Sequence, residues 1–262
     1  MIDTHCHLTY RPLMDQVDAV LDRARQAGVD RMITVATSLT DARLAVELAG
    51  RFDHVYATAG IHPHEAGHQS EQTEAMAQLR QLAADPKVVA IGEMGLDRHY
   101  VDPPMSQQRR VFGWQLEAAS TTTKPVIIHN RQATDDVLAM IGDSGIGGDR
   151  FVFHCFSGDD ADLDAILDIG AMVSFTGIVT FKNAKALAAC AKRVPMDRLM
   201  LETDAPYLTP EPHRKVRPNE PCYVLDVARF MATQRHMDEA ELILNVDQNA
   251  QRFFSLDPNR VF

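Results

Sequence analysis

Cysteine is too sparse and too scattered in this 262-residue sequence to build a disulfide framework. Cys6, Cys155, Cys190 and Cys222 form no CxxC pair, and thiols so placed suit a reducing compartment. The opening residues, Met1-Ile2-Asp3-Thr4-His5, lack the basic start and apolar core of a secretion signal. No apolar run is long enough to cross a bilayer. A cytoplasmic protein with no membrane contact is therefore expected. Positive charge is also short: 26 Lys and Arg stand against 36 Asp and Glu, for a net charge of −10. That argues against coating nucleic acid through a broad basic face, although local, metal-mediated phosphate contacts remain open. No GxGxxG follows the first apolar segment, and neither repeats nor a low-complexity linker divide the chain. One domain over residues 1–262 is the expectation.

What the chain does have is alternation. Short segments rich in Val, Ile, Phe and Met recur at Met1–Cys6, Arg31–Thr37, Val55–Gly60, Val88–Glu93, Pro125–His129, Phe151–His154, Ala171–Phe175 and Arg198–Glu202. They read as buried parallel strands. Between them lie helical patterns at Asp15–Ala27, Asp41–Arg51, Glu71–Ala84, Gln107–Ser120, Ala133–Ile141, Asp160–Ile169 and Asn183–Lys192, with two more around Tyr223–Arg235 and Asp238–Phe254. Gly28 marks one helix stop, and Thr40 is the expected N-cap of the helix at Asp41. Eight strands alternating with helices predict an α/β fold, a (β/α)8 TIM barrel, with a doubly wound open sheet as the rival.

Six of the 11 histidines fall in short motifs near strand ends. The first strand closes in His5-Cys6-His7, and residues two apart in a strand point to one side, so both imidazoles can reach one ion. Alone, an HxH is a weak signal. The fourth strand closes in Glu93, the fifth in His129, the sixth in His154, and the eighth runs into Glu202-Thr203-Asp204. Any one of these could simply cap a strand. In a barrel, however, all of them converge on the C-terminal mouth, where active sites form. Four imidazoles and two carboxylates exceed one tetrahedral zinc, so two divalent ions are expected, bridged by Glu93. His5, His7 and Asp204 complete one site; His129 and His154 complete the other. The donors suit Zn²⁺, Mn²⁺, Fe²⁺ or Co²⁺, and Mg²⁺ where phosphate and water fill its octahedron. His62 and His64, after the third strand, are read as groups behind the ligands, proton donors or phosphate contacts.

At this point the motifs together resemble a known family. His5-Cys6-His7-Leu8, Gly60-Ile61-His62-Pro63-His64, Gly92-Glu93-Met94-Gly95-Leu96-Asp97, His154-Cys155-Phe156-Ser157-Gly158, Glu202-Thr203-Asp204-Ala205-Pro206-Tyr207-Leu208 and Arg217-Pro218-Asn219-Glu220-Pro221 are similar, in order, to those of the TatD metal-dependent deoxyribonucleases. The resemblance implies a TIM barrel of the amidohydrolase superfamily with a two-metal centre. It also implies phosphodiester hydrolysis, commonly as a 3′→5′ exonuclease on DNA, with Glu202, Asn219 and Glu220 supporting the site from behind the ligands. Where relatives commonly read His-x-Arg-Asp-Ala, this chain reads His129-Asn130-Arg131-Gln132-Ala133, which removes a carboxylate near the site. Ser120-Thr121-Thr122-Thr123-Lys124 and Arg214-Lys215-Val216 also depart from the usual pattern.

The expected chemistry is attack on phosphorus by a water that two metals activate, with Asp204 as general base and the cations neutralising charge on the phosphate oxygens. His62 and His64, with Arg131 or the Arg214/Lys215/Arg217 group, are candidate phosphate contacts. The expected partner is DNA or another phosphodiester, at single-stranded ends, without an obligate protein partner. Two alternatives keep the residues and change the role. One is a metal-dependent amidohydrolase or aminoacyl-ester hydrolase on the same barrel; the other is a non-catalytic metal-binding module. Glu93 stands where many amidohydrolases place a carbamylated lysine, which favours phosphoester chemistry.

Overall fold

The structure, a computed structural model, describes residues 1–69 and 71–257; Ser70 and the last five residues of the expected 1–262 domain lie outside the described residues. Eight parallel strands follow one another in a single sheet: β1 (Ile2–Cys6), β2 (Arg31–Thr34), β3 (Val55–Ala59), β4 (Val88–Asp97), β5 (Val126–Arg131), β6 (Phe151–Phe153), β7 (Met172–Phe175) and β8 (Leu199–Leu201). The ring is drawn closed just beyond β8. Asp204 N donates to His5 O at 2.8 Å, His7 N donates to Ala205 O at 2.7 Å, and Cys6 bridges Ala205 in parallel. The barrel expected from the alternating pattern is borne out.

Helices α1 (Arg11–Met14), α2 (Val17–Ala27), α3 (Leu39–Arg51), α4 (Gln72–Ala83), α5 (Met105–Ser120), α6 (Thr134–Ser144), α7 (Asp160–Asp168), α8 (Lys185–Arg193), α9 (Val224–Arg235) and α10 (Glu239–Phe254) accompany the strands. Each of the longer ones turns an apolar stripe inward, as Val17, Val20, Leu21 and Ala24 do on α2. A second apolar cluster draws Ile2, Ile33, Tyr56, Val89, Ile127, Val152, Met172 and Met200 from the eight strands in turn. It fills the barrel interior, with Phe254 and Leu256 packed against it.

Two boundaries differ from the sequence reading in ways that matter. The third helix begins at Leu39, not Asp41, and its cap is Ser38, whose hydroxyl accepts from Asp41 N at 3.1 Å. Leu39 is buried, so core packing draws the helix start back past Thr40. More consequentially, β4 does not stop at Glu93 but continues to Asp97. The register against β5 shifts between Ile91 and Met94, the mark of a bulge. Glu93 therefore sits within the strand, flanked by glycines, and Asp97 is the residue at the strand's end.

Gly95 makes that extension possible. Its φ is +145°, and a Cβ placed there would lie 2.0 Å from the His129 carbonyl oxygen of β5. Backbone cannot yield that distance without parting the two strands. Gly95→Ala is expected to cost about 3 kcal/mol, lowering the melting temperature by roughly 6–12 °C. A thermal melt checks it, and a change under 2 °C would show that the strands can separate there.

Candidate metal centre at the barrel mouth

The strand ends bring the sequence-predicted residues into one buried cluster, with Glu93 at its middle. Its Oε1 lies 2.8 Å from His154 Nε2, 3.0 Å from His129 Nδ1 and 3.5 Å from His62 Nε2. Its Oε2 lies 3.4 Å from His5 Nε2. Asp204, beyond β8, sets Oδ1 at 3.2 Å from His7 Nε2 and 3.8 Å from His5 Nε2. His7 is oriented from behind, its Nδ1 donating to Val35 O at 2.8 Å. His5, Glu93 and His129 lie within strands and His7, His62, His154 and Asp204 just beyond them, and Gln132, Cys155 and Asp204, on the loops after β5, β6 and β8, take left-handed backbone (φ 56°, 46° and 55°). Such conformations persist where the surroundings over-determine them, and they gather at functional sites.

Donor atoms fall within 4.8 Å of one another in three groups: His5, His7 and Glu93; His62, Glu93 and His129; and His5, His154 and Glu202. A cation with ligands about 2.0–2.2 Å away separates those ligands by roughly 3–3.6 Å, close to the spacings here. Both ring nitrogens of His5 are buried without a hydrogen bond among the described residues. A buried imidazole so left is costly unless something else takes its lone pair. The residues fit a cation.

The electrostatics point the same way. Burial opposes charge on Glu93, yet the fields of His154 and His62 and hydrogen bonds from His129 and His154 hold its carboxyl well below the usual range. Burial likewise opposes charge on Asp204, and His7 outweighs it to keep the acid below its ordinary value. In return, burial lowers the basicity of His7, His129 and His154, but their carboxylate partners overcome it, raising His7 to about 9 and both others above the ordinary histidine value. His5 and His62 go down, first by burial and then by their cationic neighbours. Two buried carboxylates demand positive charge, and without a metal protons supply it.

This has a consequence for the metal-free protein. A histidine raised from 6.5 to about 9 holds a proton that the unfolded chain releases, so its contribution is complete below pH 6.5 and lost as the pH rises through 9. Asp3, pushed by burial up to about 8, acts in the same direction. His5 and His62 are neutral in both states above pH 6.5 and add nothing there. In chelator, the melting temperature is expected to fall between pH 6.5 and 9; a flat or rising profile would contradict it.

Other predicted residues divide. Glu202 Oε1 faces His154 Nδ1 at 3.4 Å and accepts from Cys155 N at 2.7 Å, while Ser174 donates to its Oε2 at 2.6 Å. Asn219 Nδ2 donates to Thr203 O at 3.0 Å, bracing the loop that carries Asp204. Glu220 is placed elsewhere: its carboxylate accepts from Arg23 of α2 at 2.6 and 3.0 Å. Arg131 lies over the Tyr100 ring, and Arg214 over Phe181 at 3.7 Å. Arg217 donates to Thr209 and to carbonyls of its own loop, so it staples that loop.

Asp97, at the end of the Gly92–Asp97 motif, joins the site although the sequence pattern assigns it no role. It is fully buried, and its Oδ2 accepts from His129 Nε2 at 2.9 Å and His64 Nε2 at 3.2 Å. Its Oδ1 takes the backbone N–H groups of His99 and Tyr100. Asp97 thus fixes both the His129 ring and the loop beside it. Asp3 was missed as well; it accepts from Thr203 N at 2.9 Å and Thr203 Oγ1 at 2.6 Å, tying β1 to the Asp204 loop.

Comparison with known proteins establishes the family of the chain. A sequence profile described as TatD related DNase matches residues 2–255. The chain belongs to the TatD family. Among TatD relatives, YabD of Bacillus subtilis, a metal-dependent hydrolase, is 38% identical over 98% of this chain and 100% of its own length. TatD of Musicola paradisiaca, named a 3′-5′ ssDNA/RNA exonuclease, is 40% identical over 98% of each chain. The crystal structure of YjjV, a TatD homologue from Escherichia coli K12, superposes with a TM-score of 0.92 at 29% identity, covering 98% of each chain. The protein is a metal-dependent hydrolase of this family, with candidate His and Glu metal-binding groups at its mouth. Among the described residues, no helix is long and apolar enough to cross a membrane.

Proposed function

We propose that residues 1–262 act as one hydrolase domain that cleaves phosphodiester bonds at single-stranded DNA ends, from 3′ to 5′, with two divalent cations. The observation that carries the two-ion reading is the position of Glu93, which turns Oε2 toward His5 and Oε1 toward His62, His129 and His154. His5, His7, Glu93 and Asp204 would hold one cation; Glu93, His129 and His154 would hold the other, with His62 beside them. Zn²⁺, Mn²⁺ and Mg²⁺ are the candidates. Bound there, the cations would lower the pKa of water and neutralise charge on the phosphate oxygens.

Asp204 is held ionised, and it would orient the attacking water and take its proton. His7, bonded to Val35 behind and to Asp204 in front, fixes the direction of that carboxylate. Asp97 holds the His129 ring in the orientation that meets Glu93. His62 is kept neutral by burial and by its cationic neighbours, which supports a donor of lone pairs rather than of protons. The Musicola paradisiaca relative's name supports single-stranded nucleic acid as the substrate. Neither free basic surface nor a protein partner is required.

The test uses stripped protein reloaded with each metal. Expected are turnover of bis-p-nitrophenyl phosphate and shortening of a single-stranded oligodeoxynucleotide from its 3′ end. Turnover of amides or aminoacyl esters with inert DNA would move the assignment to that chemistry. No turnover of any substrate with any metal would leave a binding module.

A further inference from the structure

A cavity of about 250 Å³ opens at the end of the barrel opposite the histidines. Its walls come from the starts of the strands: Pro125 precedes β5, Arg150 precedes β6, Met172 opens β7 and Arg198 precedes β8. Arg252 and Phe253, at the end of α10, close the remaining side. In such barrels the chemistry sits at the other face, and no residue of the metal centre lines this cavity.

On a chain of net charge −10, this lining is locally basic: among the described residues, Arg150, Arg198 and Arg252 stand against Asp149. Neutral oxygens hold two of the guanidinium groups in place. Arg150 Nη2 donates to the carbonyls of Ala119 and Lys124, and Arg252 Nη2 donates to Asp197 O at 3.0 Å and Asn249 Oδ1 at 2.9 Å. Arg198 meets a carboxylate, Asp197 Oδ2, only at 4.0 Å, and among the described residues none lies closer to any of the three. Each guanidinium has five N–H donors, and these bonds use one nitrogen of Arg150 and one of Arg252. Burial lowers the basicity of Arg150, and the field of Asp149 does not make up the difference. Positive charge that is fixed in place and not neutralised suits a phosphoryl group.

The unusual Ser120–Lys124 segment forms part of the same wall. Thr121 and Thr122 turn their hydroxyls back to Ala118 O and Ala119 O, at 2.7 and 3.2 Å, where α5 ends. Thr123 lines the cavity, is exposed, and makes no side-chain hydrogen bond among the described residues. Its hydroxyl is a further donor for a phosphoryl oxygen. Pro125, Met172 and Phe253 add apolar surface. A free ion would leave that surface wet, whereas an apolar substituent would cover it.

We propose that this cavity binds a small organic phosphate, its phosphoryl group on the arginines and Thr123 and its apolar part against Phe253. The site is separate from the reaction at the mouth and does not depend on which bond is cleaved there. Phenylphosphonate, which has no ester bond to hydrolyse, and inorganic phosphate are the probes, titrated by calorimetry into the metal-loaded protein. Whatever binds at the mouth is common to wild type and to the Arg198→Ala/Arg252→Ala variant compared at equal metal content, so the difference between them reports the cavity. Wild type is expected to bind one more equivalent of phenylphosphonate per chain, with affinity for that equivalent falling roughly 100-fold or more when both charged contacts are lost. Phosphate should fill the same site about tenfold more weakly, for want of the apolar part. Should the double variant fail to fold, Arg198→Ala alone, at a partly exposed side chain with no close ion partner, should weaken phenylphosphonate about tenfold. Equal stoichiometry and affinity in wild type and variants would overturn the site. Phosphate bound there as tightly as phenylphosphonate would overturn the organic ligand and leave a site for the free ion.

Discussion

Asp204→Asn is expected to reduce turnover of bis-p-nitrophenyl phosphate by roughly 10²–10⁴-fold, the range of a lost general base, while leaving the fold in place. The substitution is close to isosteric. It also suits the backbone, because Asp204 sits at φ 55°, and asparagine tolerates the left-handed region better than most residues. The backbone contacts that close the barrel, Asp204 N to His5 O and His7 N to Ala205 O, do not involve the side chain. What disappears is the negative charge that holds His7 protonated and that would take a proton from water. A neutral amide can still offer its oxygen to a cation, so metal content should fall less than activity does. The effect should appear in kcat with little change in KM, since an interaction needed only for the chemical step is removed. Activity within tenfold of wild type, at equal metal content and melting temperature, would show that the proton goes elsewhere. The same variant should lack part of the pH-dependent stability of the metal-free protein, because His7 loses its main partner.

Much of this site can be read from the sequence because strand ends are easy to see and few residue types bind metals. His5 and His7 lie two apart on one apolar strand, and a parallel barrel must bring them to the mouth that receives His129, His154 and Asp204. Asp97 could not be seen in the same way. The pattern of β4 is interrupted by Gly92 and Gly95, so the strand reads as ending at Glu93, and the next carboxylate looks like a loop residue. Only the pairing of Gly95 with His129 and Asp97 with Arg131 shows that the strand continues. The available signal was an Asp directly after the apolar Leu96 with Gln108 eleven residues on, whose Oε1 receives the Asp97 N–H at 2.8 Å. The partner of Glu220 is hidden for a different reason. Glu220 lies in a motif with Asn219, but its partner Arg23 is 197 residues away, and no local pattern records a contact at that separation. Ser38 over Thr40 is a smaller case, in which burial of Leu39 decided the helix start.

Glu93→Ala is the sharpest test of the two-cation reading. The carboxylate faces both halves of the cluster, and it is buried with four histidines around it. Removing it leaves His5, His62, His129 and His154 without the negative charge that gathers them. Bound metal, by elemental analysis after gel filtration, is expected to fall from about two ions per chain to one or fewer, and turnover should drop by at least roughly 10³-fold. A second readout needs no metal. In the metal-free protein burial depresses His154, and Glu93 is the foremost influence raising it again, ahead of Glu202. In metal-free Glu93→Gln, a milder replacement that keeps the volume, the His154 ring should therefore titrate at lower pH, as followed by NMR of its ring protons. Folding stability of this variant should fall less steeply between pH 6.5 and 9 than that of wild type, since fewer raised histidines remain to lose their protons. Unchanged metal stoichiometry would remove Glu93 from the bridging position. An unchanged His154 titration would mean that Glu202 alone holds that proton, and the charge balance between Glu93 and its histidines would have to be redrawn.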